Sequence, residues 1–181
     1  PSASPSADPT YWSVAEGTFV GPTPCPAVSA LVALYESTGG SSGAWAVDEE
    51  WMMRDPCTNS WYGVTCNETT GEVTQIDLNS NDLAGTVPTQ IGLLSMLSTG
   101  FKMYKNSLTG VLPTELGLVT GVVSFMWWDV NSFSGTLPSE LGHFTALSIG
   151  FSMYNFPSVT GRLPTELGRM TELTQGFDVP Y

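Results

Sequence analysis

The chain has 181 residues, 41% hydrophobic and 12% charged, with five Lys and Arg against 17 Asp and Glu and a net charge of −12. A domain this acidic repels phosphate backbones and anionic lipid surfaces, which argues against nucleic acid as a partner. One histidine, His143, and three cysteines supply too few ligands for a Cys/His zinc cage and no spare base for most nucleophilic chemistry, and no run approaches the roughly 18 apolar residues of a bilayer-spanning helix.

In chain order, residues 1–24 open PSASPSADPT, are rich in Pro, Ser and Ala, and lack a signal-peptide core, so they read as the N-terminal extension of a processed chain. Residues 25–72 read as a capping unit. Pro26 opens an amphipathic stretch in which Val28, Leu31, Val32 and Tyr35 recur at helical spacing, and Gly39-Gly40 stops it. An irregular segment with Trp45 and Trp51 follows, and its acidic run Asp48, Glu49 and Glu50 reads as a solvated face. The stretch DPCTNSWYGVTC then places Cys57 and Cys66 on either side of eight residues that include Trp61, and Asn67-Glu68-Thr69 is a glycosylation sequon on an expected surface turn.

From Val73 onward the chain repeats. GTVPTQIG from Gly85, GVLPTELG from Gly110, GTLPSELG from Gly135 and GRLPTELG from Gly161 superimpose, and their prolines Pro88, Pro113, Pro138 and Pro164 lie 25, 25 and 26 residues apart. That period fits one coil of a solenoid per repeat and is too short for a helical-pair repeat. Ahead of each glycine comes an apolar alternation and then asparagine: Ile76, Leu78 and Asn81; Phe101, Met103 and Asn106; Met126, Trp128 and Asn131. Period two predicts a strand, with those apolar side chains inward and the residues between them outward. The asparagines are expected to turn inward and satisfy backbone groups left unpaired at each bend. The fourth copy, Phe151, Met153, Asn155, Phe156, Pro157, is one residue longer, which leaves the place of its asparagine open.

These residues resemble the plant-type leucine-rich repeat, LxxLxxLxLxxNxLxGxIPxxLG, from about Val73 to the C-terminus. Two departures stand out: Phe, Met or Trp often replace the strand leucines, and the period is stretched by one residue between Leu97 and Phe101, where a slip of one position would exchange the two faces. The DPC…W.GV.C stretch is similar to the N-terminal cap of that family. The resemblance implies an α/β solenoid, a right-handed superhelix with short parallel strands on its concave face and a helical cap closed by a Cys57–Cys66 disulfide. Such a bond and the sequon at Asn67 imply an oxidising, non-cytosolic setting: secreted, cell-surface or lumenal. Cys25 is left over, as a free thiol or a bridge to another segment or partner. Residues 73–181 hold about four repeats, and Phe177, Asp178 and Val179 begin a fifth that implies either further chain or a covering partner.

The outward sites form two columns, Asp77, Lys102, Trp127, Ser152 and Asp178, then Asn79, Tyr104, Asp129 and Tyr154. Exposed aromatics among hydrogen-bonding groups are the composition of a recognition surface. The candidate ligand-binding residues are therefore Asp77, Asn79, Lys102, Tyr104, Trp127, Asp129, Ser152 and Tyr154, with core filling as the competing role for Trp127 and Trp128. Asp77, Asn79 and Asn81 imitate the start of a calcium loop, but Asp82 and Pro88 occupy positions where such a loop needs glycine and glutamate, so no metal site is assigned. His143 lies on the return segment, away from the strands. The expected function is non-catalytic recognition of a protein or glycan, without cofactor. The alternatives are a structural subunit of a larger assembly and, as a minor reading, ice binding through Thr86, Thr89, Thr114, Thr136 and Thr165.

Overall fold

The computed structural model describes residues 26–53, 55–58 and 60–179; the N-terminal extension and Cys25 lie outside the described residues. Helix α1 spans Pro26–Ser37 and buries Val28, Leu31, Val32 and Leu34. Its proline sits in the first turn, where a missing N–H costs nothing, and Gly39, at φ 94°, ends the helical run. Beneath the helix, Tyr35, Trp45, Trp51 and Trp61 pack in sequence at ring-centroid distances of 4.8–5.6 Å. Each indole in this cluster donates to a backbone carbonyl: Trp45 to Thr38, Trp51 to Tyr62 and Trp61 to Met53. The irregular segment is thus nailed down by aromatic packing with its polar atoms satisfied.

The Tyr35 hydroxyl donates to Asp48 Oδ2 at 3.0 Å, so the acidic run is not merely solvated. Burial, then the hydrogen bond to and negative charge of Asp48, push the Tyr35 phenol from 10.0 up to about 12. A raised folded-state value means that the protonated form is favoured on folding. The associated stability is complete below pH 10 and is lost as pH climbs toward 12. We expect unfolding midpoints to fall over that range in the parent, with a flatter alkaline limb in Tyr35→Phe, measured by urea denaturation at fixed pH steps.

Cys57 and Cys66 are bonded, with Cα atoms 5.5 Å apart. The bond ties the Asp55 turn, whose carboxylate accepts from the N–H groups of Cys57 and Thr58, to strand β1 (Val64–Cys66). A turn through Asn67–Gly71 carries β1 back along β2 (Val73–Asp77) as an antiparallel pair. The cap therefore covers the first edge of the sheet as well as its core, removing a row of open backbone groups.

Strands β4 (Gly100–Lys102), β6 (Phe125–Trp127), β8 (Gly150–Ser152) and β10 (Phe177–Asp178) continue that sheet in parallel, in the order β1-β2-β4-β6-β8-β10. Their register pairs Asp77 with Lys102, Lys102 with Trp127, Trp127 with Ser152 and Ser152 with Asp178. Ile76, Leu78, Phe101, Met103, Met126, Trp128, Phe151 and Met153 are fully buried, so the period-two reading holds its phase through four coils; in the last strand Val179 is buried and Phe177 is 47% exposed. The extra residue is absorbed just before the strands, where Ser98 and Thr99 both donate to the Thr74 carbonyl.

A second parallel sheet, absent from the sequence reading, joins β3 (Ala84–Thr86), β5 (Ser107–Gly110), β7 (Ser132–Gly135) and β9 (Ser158–Val159). Gly110 and Gly135 end β5 and β7, Gly85 lies inside β3 and Gly161 follows β9, and each repeat proline then leads into a short 3₁₀ turn: Thr89–Leu93, Thr114–Leu118, Ser139–His143 and Thr165–Arg169. Ile91, Leu94 and Leu97 are buried from this side, as their spacing implies.

The asparagine ladder is built as expected through three coils. Asn131 donates to the carbonyls of Met103, Trp128 and Asp129 and accepts from Leu108 N–H, while Asn106 serves Leu78, Met103, Tyr104, Asn81 and Leu83 in the same way. Asn81 caps the series on Val47 of the N-terminal unit. In the fourth coil the inward position is held by buried Phe156, and Asn155 is exposed one place earlier, at φ 59°. That place is left-handed in every coil, at Ser80, Lys105, Val130 and Asn155.

Candidate functional site

The outward residues of the first sheet divide into two groups. In the first coils, Asp77, Asn79 and Lys102 spend their polar atoms on one another. Lys102 Nζ lies 3.3 Å from Asp77 Oδ2, Asn79 Nδ2 donates to Asp77 Oδ1 at 2.6 Å, and Asn79 Oδ1 accepts from Tyr104 N–H. Lys102 also sits over the rings of Phe125 and Trp127, at 4.7 and 5.3 Å from their centroids. This cluster contains neither a calcium geometry nor an unspent charge, because Asn81 turns inward to the ladder.

The later coils differ. A groove of about 430 Å³ runs across β4, β6, β8 and β10, and four of the expected residues line it: Tyr104, Trp127, Asp129 and Ser152. The sequence reading did not place Ile149, Gly150, Gln175 and Gly176 among site residues, and it noted Asp178 as outward only; all five line the same groove. Tyr154 is 58% exposed and stands outside it. Trp127 is half-buried on the outer face, whereas its neighbour Trp128 is fully buried between Phe101 and Phe133. Trp128 Nε1 is a buried donor without a partner among the described residues.

Gly150 explains how the indole of Trp127 is seated. A Cβ added at Gly150 would lie 2.6 Å from Trp127 Nε1, so the absence of a side chain on β8 makes the space into which the ring of β6 leans. Tyr104 meets Trp127 edge-on at 6.2 Å, forming an aromatic wall. Lys105 Nζ is 5.4 Å from the Tyr104 centroid, outside the groove lining. Among the described residues, the side-chain polar atoms of Tyr104, Trp127, Asp129, Ser152, Gln175 and Asp178 have no hydrogen-bond or ion-pair partner, and Lys102 is held by Asp77.

No known protein-family pattern matches the chain. A stretch of 78 residues is 33% identical to a probable leucine-rich repeat receptor-like protein kinase of Arabidopsis thaliana, covering 38% of this chain and 8% of the kinase. The chain thus spans a small part of that relative. Among solved structures, the BIR2 ectodomain from Arabidopsis thaliana superimposes with a TM-score of 0.66 at 20% identity, over 82% of this chain and 76% of that one. The fold is the plant-type leucine-rich repeat solenoid. A plant ice-binding protein shares it, with a TM-score of 0.68 at 22% identity over 84% of this chain and 47% of that one.

Within the leucine-rich repeat, the left-handed position is filled by a β-branched residue once, at Val130, with φ 56° and 38% exposure. Such a residue in this region is strained by roughly 1–3 kcal/mol, whereas asparagine tolerates it and already stands there in the fourth coil as Asn155. We expect Val130→Asn to raise folding stability by about 1 kcal/mol in urea unfolding.

Proposed function

We propose that the chain is a non-catalytic recognition module that takes an extended protein segment across its first sheet, outside the cytosol. One observation carries this reading: a groove walled by Tyr104 and Trp127 whose side-chain donors and acceptors have no partner among the described residues. Aromatic rings with two rotatable angles contribute large contact area at low entropic cost, and unpartnered polar groups around them are positioned to pair with a ligand. The test is selection of a random heptapeptide library on the immobilised protein. Enriched clones are expected to lose binding to a Tyr104→Ala/Trp127→Ala variant and keep it for Leu118→Ser, on the opposite 3₁₀ side. Absence of enrichment, or equal binding to the double variant, refutes the reading.

The setting has its own support. Asn67 is exposed, and its Oδ1 accepts from the N–H groups of Thr69 and Thr70 at 2.8 and 3.0 Å, leaving the amide nitrogen open for modification. Expression through a eukaryotic secretory route is expected to give a glycosidase-sensitive gel shift that disappears in Asn67→Gln and in Thr69→Ala; a parent band without the shift counts against it.

Ice binding is a second reading with a specific observation behind it. A file of hydroxyls follows the second sheet: exposed Thr109, half-buried Ser134 and exposed Thr160, just past β9, each donate to the carbonyl of the preceding coil, at Gly85, Gly110 and Gly135. The row expected from the sequence is different, since Thr89, Thr114 and Thr165 direct their hydroxyls to the neighbouring Gln90, Glu115 and Glu166 side chains. Thermal hysteresis in the parent, abolished by Thr109→Asp, is the result this second reading requires.

A further inference from the structure

Resting on the recognition reading above, we infer that the groove between β6 and β10 is a subsite for a cationic side chain, arginine in particular, on an extended protein ligand. Two carboxylates line it, Asp129 from the second outward column of β6 and Asp178 from the first column of β10. They stand on either side of the β8 strand, whose Ser152 is in register with Asp178 and with Trp127, two residues before Asp129. Neither is paired with a cation among the described residues. Lys102 is committed to Asp77 and to the rings of Phe125 and Trp127, and Lys105 lies by Tyr104 without pairing to either groove carboxylate.

Two uncompensated negative charges beside an aromatic wall define complementary chemistry. A guanidinium is planar and weakly hydrated, lies against aromatic rings, and directs its N–H groups in plane toward carboxylates. Asp129, Asp178, the Ser152 hydroxyl and the Gln175 carbonyl oxygen supply acceptors, and Trp127 and Tyr104 supply the wall. A neutral sugar would use the same rings and hydrogen bonds but would leave both charges uncompensated in a chain of net charge −12. Charge complementarity therefore selects the cation over the glycan. Gly150 sets the size of the subsite, because a side chain there would occupy the space now taken by Trp127 and the groove floor.

The test uses the full chain and two synthetic probes, acetyl-Gly-Arg-Gly-Arg-Gly-amide and the same peptide with citrulline, which keeps the shape and removes the charge. Binding is read by tryptophan fluorescence and calorimetry at 50 mM salt, with circular dichroism as the check on folding. The arginine peptide is expected to bind at least ten times more tightly than the citrulline peptide. Asp129→Asn and Asp178→Asn are each expected to weaken it five-fold or more, Gly150→Leu to abolish it, and Glu115→Gln, on the 3₁₀ side, to leave it unchanged. Equal affinity for the two peptides, or unaltered affinity in both carboxamide variants, overturns the inference. So does cellotetraose binding that survives both carboxamide substitutions while the arginine peptide does not bind. If library-selected peptides bind the strand face and the arginine peptide does not, the cationic subsite falls and the recognition reading stands; if neither binds, both fall.

Discussion

Asn131→Ala is expected to remove about 3–5 kcal/mol of folding stability, seen as a lower urea midpoint, with the amides of Leu108 and neighbouring bends losing hydrogen-exchange protection. Asn131 is 4% exposed, and its amide satisfies carbonyls of two successive coils, Met103 at 2.9 Å and Trp128 at 2.8 Å, as well as Leu108 N–H at 3.1 Å. Alanine leaves these groups in a site that water does not reach, where each lost partner costs roughly 1–3 kcal/mol before relaxation. Asn131→Asp is expected to be no better, because a carboxylate cannot donate to the two carbonyls and is repelled by them. A destabilisation below 1 kcal/mol for both variants would show that the ladder does not hold the coils in register.

The second large effect is expected at Gly85. This residue has φ 114°, outside the range that L side chains adopt comfortably, and an added Cβ would collide with the Ser37 carbonyl oxygen at the end of α1. The contact is the seam between cap and solenoid, where Ala84 N–H also donates to the Thr38 carbonyl. Gly85→Ala is expected to cost roughly 3 kcal/mol, against about 1 kcal/mol for Gly71→Ala, which has φ 68° and open space around it. The difference isolates the collision from the conformational cost. Equal losses at the two sites, measured by the same urea unfolding, would mean that α1 shifts freely and does not lock the first coil.

These two positions illustrate what a one-dimensional reading reaches. The asparagine of the ladder is legible because it recurs at the repeat period beside an apolar alternation, and the alternation itself sorts Trp127 from Trp128 once its phase is known. The fourth coil escapes that logic. Up to Phe156 it keeps the 25-residue register, so Asn155 falls on the left-handed bend that Val130 fills in the coil before and Phe156 takes the inward place of Asn131; the extra residue comes only afterwards, and composition alone does not say which of two adjacent residues turns in. The second sheet is similarly hidden, since strands of two to four residues carry too little alternation to register.

By itself, the sequence determined the coil period, the inward and outward columns, the cap, and the Cys57–Cys66 closure through its resemblance to a known cap, because each is a local pattern repeated or bounded along the chain. Only the tertiary structure decided which outward residues work together. Asp77, Asn79 and Lys102 neutralise one another across adjacent strands, while Trp127 leans over Gly150 and shares a groove with Asp178, fifty-one positions along the chain but two strands away. Stacking one coil on the next sets residues a full period apart side by side, and whether such neighbours cancel or leave a charge open depends on contacts that no single repeat contains.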